Sequence, residues 1–342
     1  MKHVYFKSRV LVCLLAVSFS LSGQTLREES QKDFNTTPAS KLSISNQFGN
    51  ITVTDWDQSK VSIVYVVEVT DKDEASAKKL MDQIKINFSE ENGKIMAETK
   101  IGKDGDLDLK KDKSTNQSFR IDYEVKCPRN IPISLENKFG DISLATLTGP
   151  VEVEIQFGSL HAVSLTGPET SIECQFGKLY LTEVGDASIE IQHSEVCEIT
   201  KSGNLSIEAQ FSEVRIGSVK TLEAEFKNAN TTVENLSVSL NLEGNMGKTK
   251  VKNVASGFTS IDIEQNIGEV SLTMDPKAGY KLNAKSNLGN LDLPENLKVT
   301  PVAEQHAAHV HEDIQIKVVK GVVGNGAAVV NAEVNLGSLS IK

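Results

Sequence analysis

Apolar and polar residues alternate along most of the chain. One phrase interrupts the alternation at regular intervals. Its clearest copy is Val153-Glu154-Ile155-Gln156-Phe157-Gly158-Ser159-Leu160, an alternating strand, a bulky residue, a glycine and a second short strand. Variants fall at Phe48-Gly49, Phe139-Gly140, Phe176-Gly177, His193-Ser194, Phe211-Ser212, Met246-Gly247, Ile267-Gly268, Leu288-Gly289 and Leu336-Gly337. With Phe226 counted as a degenerate copy, the bulky residues, here called hooks, are spaced 15 to 21 residues apart from Phe139 to Leu288. A two-residue period within each phrase predicts strands. A repeat of about 19 residues with strand-turn-strand content predicts a solenoid.

Aligning the hooks sorts the residues into columns. Leu135, Val153, Ile172, Ile189 and Ile207 stand four before the hook, and Ile142, Leu160, Leu179 and Val214 three after. These columns, with the hooks themselves, predict a core of like residues stacked coil upon coil. One coil cannot bury its apolar side alone, whereas stacked coils can. The glycine after each hook is expected to permit a turn that a side chain would obstruct. The predicted class is all-β: a single-chain parallel β-helix, or β-solenoid, with one small helix-containing α+β insertion near the N-terminus.

That insertion is legible as a change of period. Lys60 to Thr70 reads as a long strand. From Asp73 to about Ile84 the apolar residues Ala77, Leu80, Met81 and Ile84 recur at helical spacing, with Asp71 or Asp73 available as a cap. Lys85–Phe88 and Lys94–Ile101 then read as a strand pair turning at Glu91-Asn92-Gly93. Residues 102–118 form a charged loop, and Phe119–Val125 a further strand. The expected organisation is a signal peptide over 1–23, a linker over 24–40, a first coil with the insertion over 41–132, repeats over 133–299, and C-terminal strands with a capping coil over 300–342.

The start of the chain is a targeting segment by pattern. Lys2, Lys7 and Arg9 precede an apolar stretch from Val10 to Leu21, then small and polar residues with a cleavage point near 22–24. The stretch is too short to span a bilayer as a helix. The protein is therefore expected to be exported to the periplasm, the outer surface or the medium. Loss of the three basic residues would take the formal charge from -10 to -13. So acidic a chain disfavours nucleic acid as a partner. Cys127, Cys174 and Cys197 are too few for a disulfide framework and read as idle thiols.

Several stretches resemble a family of exported proteins called putative adhesins, the DUF4097 type. They are Ile44–Trp56, Ile121–Pro128, Leu135–Ile142 and Asn335–Leu339. The resemblance covers nearly all of the chain after the leader. It implies a parallel β-helix and brings no catalytic set with it.

The outward columns are the candidate chemistry. Glu154, Glu173, Glu190 and Glu208 stand three before the hook, and Gln156, Gln175, Gln192 and Gln210 one before. Glu223 and Glu243 are expected to continue the first column. Together they form a flat acidic and polar face suited to a glycan or a cell-surface protein. A flat ladder supplies the six or more oxygens of a calcium site poorly, so no metal and no cofactor is expected. His306, His309 and His311 lack a defined third ligand. His193 is expected to stack in the core. No nucleophile, zinc or phosphate-loop motif is present. The expected function is a non-enzymatic surface or envelope binding module. The alternatives are a carbohydrate-active enzyme on the same scaffold and a periplasmic sensor or scaffold with a membrane partner.

Overall fold

The computed structural model describes residues 24–102, 117–301 and 316–342. The leader, the charged loop at 103–116 and the three histidines at 306–311 lie outside them. The described residues form two compact units, one ending at Gly158 and one beginning at Ser159.

The first unit contains β1 (Gln24–Asn35), β2 (Lys41–Phe48), β3 (Ile51–Trp56), β4 (Lys60–Asp71), α1 (Glu74–Met81), β5 (Ile84–Glu91) and β6 (Lys94–Ile101). It continues with β7 (Ser118–Pro128), β8 (Ile133–Phe139), β9 (Ile142–Leu147) and β10 (Val151–Gln156). Two ladders run through it. In one, β6, β2, β8 and β10 are parallel, with β5 antiparallel on β6. In the other, β7, β3 and β9 are parallel, with β4 antiparallel on β7 and β1 antiparallel on β4. Each phrase puts one strand in each ladder and turns between them at the hook. Inward residues of both, such as Leu42, Ile44, Ile51, Val53, Leu135 and Ile142, are buried.

Helix and hairpin form where the sequence placed them. Asp73 caps α1, its Oδ1 accepting from the Ser76 amide at 2.8 Å. Ala77 and Leu80 are buried, and the helix packs on β1 and β4. Asn92 and Gly93 both have positive φ, 51° and 79°, as the expected tight turn requires. Residues 24–35 are not linker. They pair along all of β4. Their charge is that of an outer strand: Arg27 bridges Glu29 and Glu68 at 2.9 and 3.0 Å. Charged side chains on an edge strand discourage pairing with other molecules.

The second unit contains β11 (Ser159–Leu165), β12 (Thr170–Gln175), β13 (Lys178–Val184), β14 (Ala187–Gln192), β15 (Val196–Gln210), β16 (Glu213–Val254) and β17 (Ser260–Met274). It ends with β18 (Tyr280–Ser286), β19 (Asn290–Asp292), β20 (Lys298–Val299), β21 (Lys317–Val323) and β22 (Ala328–Ile341). From β11 to β17 each coil lies parallel on the preceding one, in register column by column. Ile172, Ile189 and Ile207 stack, as do Leu181, Ile199 and Ile216. This is the β-solenoid the repeat predicted.

The order then changes. β22 does not follow β18 and β19 as an end coil. It lies between them and β17, parallel to both. The outer side of β18 is covered by β21, antiparallel, and β21 by β20. The expectation of a capping coil within 300–342 is thus corrected: its last strand is interior, and antiparallel strands cover the edge. A repeat spacing records which coil resembles which, and is silent about the order of stacking.

Candidate functional site

The hooks are the first correction. The sequence placed them in the core, yet Phe157, Phe176 and Phe211 are 51%, 51% and 54% exposed. Their backbone gives the reason. Phe157, Phe176, His193, Phe211 and Met246 have φ between 51° and 66°, the left-handed region. There the side chain swings out of the strand's alternation and over the corner. Such a conformation costs a non-glycine residue about 1 kcal/mol. At Phe48, Phe139 and Ile267 the next residue, a glycine, takes the positive φ instead. These glycines also stack closely: a Cβ on Gly140 would lie 2.0 Å from the Gly49 carbonyl oxygen, and one on Gly158 2.0 Å from that of Gly140.

The exposed rings lie face to face. In the first unit Phe48, Phe139 and Phe157 follow one another at 5.1 and 5.2 Å. In the second, His193 is sandwiched between Phe176 and Phe211 at 5.1 and 4.9 Å, nearly parallel to both. Within each stack one ring face meets the next. Further along the second unit the column continues with exposed Met246, Ile267, Leu336 and Leu288.

Phe226 is not a hook. It is buried, and it aligns with inward Ala209. Asn228, with φ 53°, takes the corner. A slip of two residues keeps every side chain on its own face, so the alternation did not reveal it. The signal was the spacing. Phe226 divides the interval from Phe211 to Met246 into 15 and 20 residues, and Asn228 into 17 and 18. Asparagine tolerates the left-handed region better than other non-glycine residues.

The polar columns stand beside the hooks. Glu173, Glu190 and Glu208 pair in register, as do Gln175, Gln192 and Gln210. Within each strand the glutamine amide donates to the carboxylate two residues earlier: Gln175 to Glu173 at 2.8 Å, Gln192 to Glu190 at 2.7 Å, Gln210 to Glu208 at 3.3 Å. In the first unit Gln156 does the same to Glu154 at 3.5 Å, and Glu154 is in register with Glu136. The register brings in two further groups. Glu225, not Glu223, continues the glutamate column, and Lys227 continues the glutamine column. Lys227 bridges Glu208 at 3.3 Å and Glu225 at 2.6 Å.

Beyond Lys227 the face dips. A concavity of about 400 Å³ is lined by Glu225, Lys227, Glu243, Asn245, Glu264 and Asn266, with Glu333 and Asn335 beside them. Gly244 lies beneath it, an inward position without a side chain whose space is filled by the amide of buried Gln265. Lys285 bridges Glu333 at 2.7 Å. Glu243 and Glu264 face each other in register and make no ion pair among the described residues.

Cys127, Cys174 and Cys197 are buried and unbridged. Burial pushes the Cys127 thiol up to about 12 and raises those of Cys174 and Cys197 as well. Thiols so placed are poor nucleophiles. Among the described residues, no helix is long and apolar enough to cross a membrane.

Coils in parallel register with an exposed hook column place the chain among β-solenoid proteins. The family described as Toastrack DUF4097 matches residues 39–324, and the chain belongs to it. No curated protein matches the chain. Among solved structures, a putative cell adhesion protein from Clostridium sporogenes is similar over 93% of this chain and 99% of its own, at 12% identity and a TM-score of 0.19. A putative adhesin from Bacteroides fragilis is similar over 92% and 97%, at 10% identity and a TM-score of 0.31. At these values neither assigns a role to any residue here.

Proposed function

We propose that this chain is an exported, non-enzymatic binding module that holds an extended, donor-rich ligand along its glutamate and glutamine columns. The observation that carries the reading is the hydrogen bond within each strand from glutamine to glutamate. It consumes one of the two amide donors of each glutamine, so that carbonyl and carboxylate acceptors outnumber donors on the face. A face of acceptors selects a partner that brings hydroxyl or ammonium donors. Repetition at about 4.8 Å, the strand spacing, favours a polymer over a small molecule. The neighbouring rings offer sugars little open face, since His193 is covered on both sides and Phe176 and Phe211 each on at least one. Export is supported by the basic and apolar pattern of residues 1–23, and a role without turnover by the spreading of the acids along a ladder.

The test uses residues 24–342 on an array of neutral, amino and acidic glycans, with a parallel assay for new reducing ends. Binding to hydroxyl- or amine-rich polymers without cleavage is expected. The triple variant Glu173→Gln, Glu190→Gln and Glu208→Gln should lose most of that binding while melting at a similar temperature. Release of reducing ends would overturn the reading in favour of an enzyme. Unchanged binding by the variant would move the site off this face.

A further inference from the structure

The position of β22 has an alternative written into its neighbours. β16 and β17 stack directly with an offset of 21 residues, Asn241 on Asp262 and Glu243 on Glu264. Through β22, the same offset relates β17 to β18 and β19. Asp262 and Asn283 both pair with Asn331, Ile263 and Ala284 with Ala332, Glu264 and Lys285 with Glu333, and Val270 and Leu291 with Leu339. The connectors 255–259 and 275–279 are equally long, five residues each. Yet the first climbs one strand spacing and the second climbs two.

The polar contacts that β18 makes across the slot would also close without β22. Asn283 donates to Asn331 at 2.9 Å, and Asn331 donates to Asp262 at 2.8 Å, so Asn283 could donate to Asp262 directly. Lys285 would meet Glu264 in place of Glu333. Asn287, which now donates to Asn335, would meet Asn266. One contact would improve. The Ser286 hydroxyl is fully buried and has no partner, because Val334 separates it from Gln265. With β22 gone, Ser286 would stack in register on Gln265, whose amide could turn to it from its present place over Gly244. A buried hydroxyl without a partner destabilises the state that contains it.

We propose that β22 is an exchangeable strand: β18 and β19 close onto β17 as it leaves, and it enters the same slot of a second copy of this chain. Closure keeps the inward columns sealed, so the expelled state loses one strand interface where an ordinary interior strand would lose two. The exchanged pair regains every contact of the single copy, which is the condition under which strand swapping makes dimers. The partner is a second copy because the slot is matched, column by column, to this strand.

Two cystine traps test it on residues 24–342, with the wild type, whose thiols are all buried, as blank. Asp262→Cys with Asn283→Cys reports closure. In the observed fold these positions are two strand spacings apart, about 9.6 Å, beyond the roughly 7 Å a disulfide spans. Mixed copies carrying Asn283→Cys or Asn331→Cys report exchange, read by peptide mapping of the bridge. Both bridges should rise several-fold on incubation at high protein concentration just below the melting temperature. Ser286→Ala should slow the 262–283 bridge, and the double variant Asn283→Cys with Asn331→Cys, once oxidised, should show no release of β22. A 283–331 bridge between copies without the 262–283 bridge would overturn the closure route. Absence of both would overturn the proposal.

Discussion

At the residue scale the chain separates two kinds of bulky side chain that look alike in sequence. Phe211 sits on a corner with φ 51° and is half exposed; Phe226 is inward and buried. Removing the first loses ring stacking and relieves backbone strain only in part, so Phe211→Ala should cost about 0.5–1.5 kcal/mol. Phe226→Ala should cost about 3–5 kcal/mol. Urea titration of both variants checks the order. Reversal would return the hooks to the core. The glycines divide in the same way. Gly268 has φ 133°, and a Cβ there would lie 1.9 Å from the Gly247 carbonyl oxygen. Gly268→Ala should lose about 2–4 kcal/mol. Gly257 has nothing within 4 Å of an added Cβ, and Gly257→Ala should be neutral or gain up to about 1 kcal/mol.

At the element scale, one inward pair shares its space beneath the dip in the acidic face. Gly244→Ala would set a Cβ 1.9 Å from the Gln265 side-chain oxygen. It should destabilise alone and be largely rescued by Gln265→Ala, with a coupling of about 1–2 kcal/mol in a double-mutant cycle. Additive losses would mean that the two side chains do not share the space. Elements were the most legible level in the sequence. The alternation gave away the strands, helical spacing at Ala77, Leu80 and Met81 marked α1, and Asn92-Gly93 marked its turn. What escaped was information that alternation does not hold. The outer strand β1 looked like linker because its own residues are mostly charged and polar, while the strand it pairs with is apolar. The hook at Asn228 was missed because a two-residue slip is invisible to a two-residue period. The alternation put glutamine and glutamate on one outward face, but the bonds between them appear only once the strands are built.

At the scale of the whole molecule, coils are tied to one another by ion pairs at the surface. The Arg129 guanidinium, hydrogen-bonded to Asp55 at 2.5 Å, holds that carboxyl below its usual range. Lys201 does so for Glu183, and Lys178 for Glu195. A carboxyl with a depressed folded-state pKa contributes stability that is present above its unfolded value, near 4. That stability is lost as pH falls through the lower, folded value. Melting temperature should therefore be flat from pH 7 to about 5 and fall below about 4. Arg129→Gln should shallow the fall. An equal slope in variant and wild type would remove Asp55 from the account. The stacking order belongs to this scale too. Hook spacing anticipated coil following coil, and nothing in a repeat says that the last strand enters between two earlier ones.

The sandwich of His193 between Phe176 and Phe211 has a spectroscopic consequence. Each phenyl ring shields whatever lies over its face, and the imidazole lies over two of them at about 5 Å. The carbon-bound protons of His193 should therefore resonate well upfield of those of an isolated histidine. They should return downfield in steps as Phe176 and then Phe211 is replaced by leucine. One ring in the stack thus carries its own magnetic gauge of whether its two neighbours are in place.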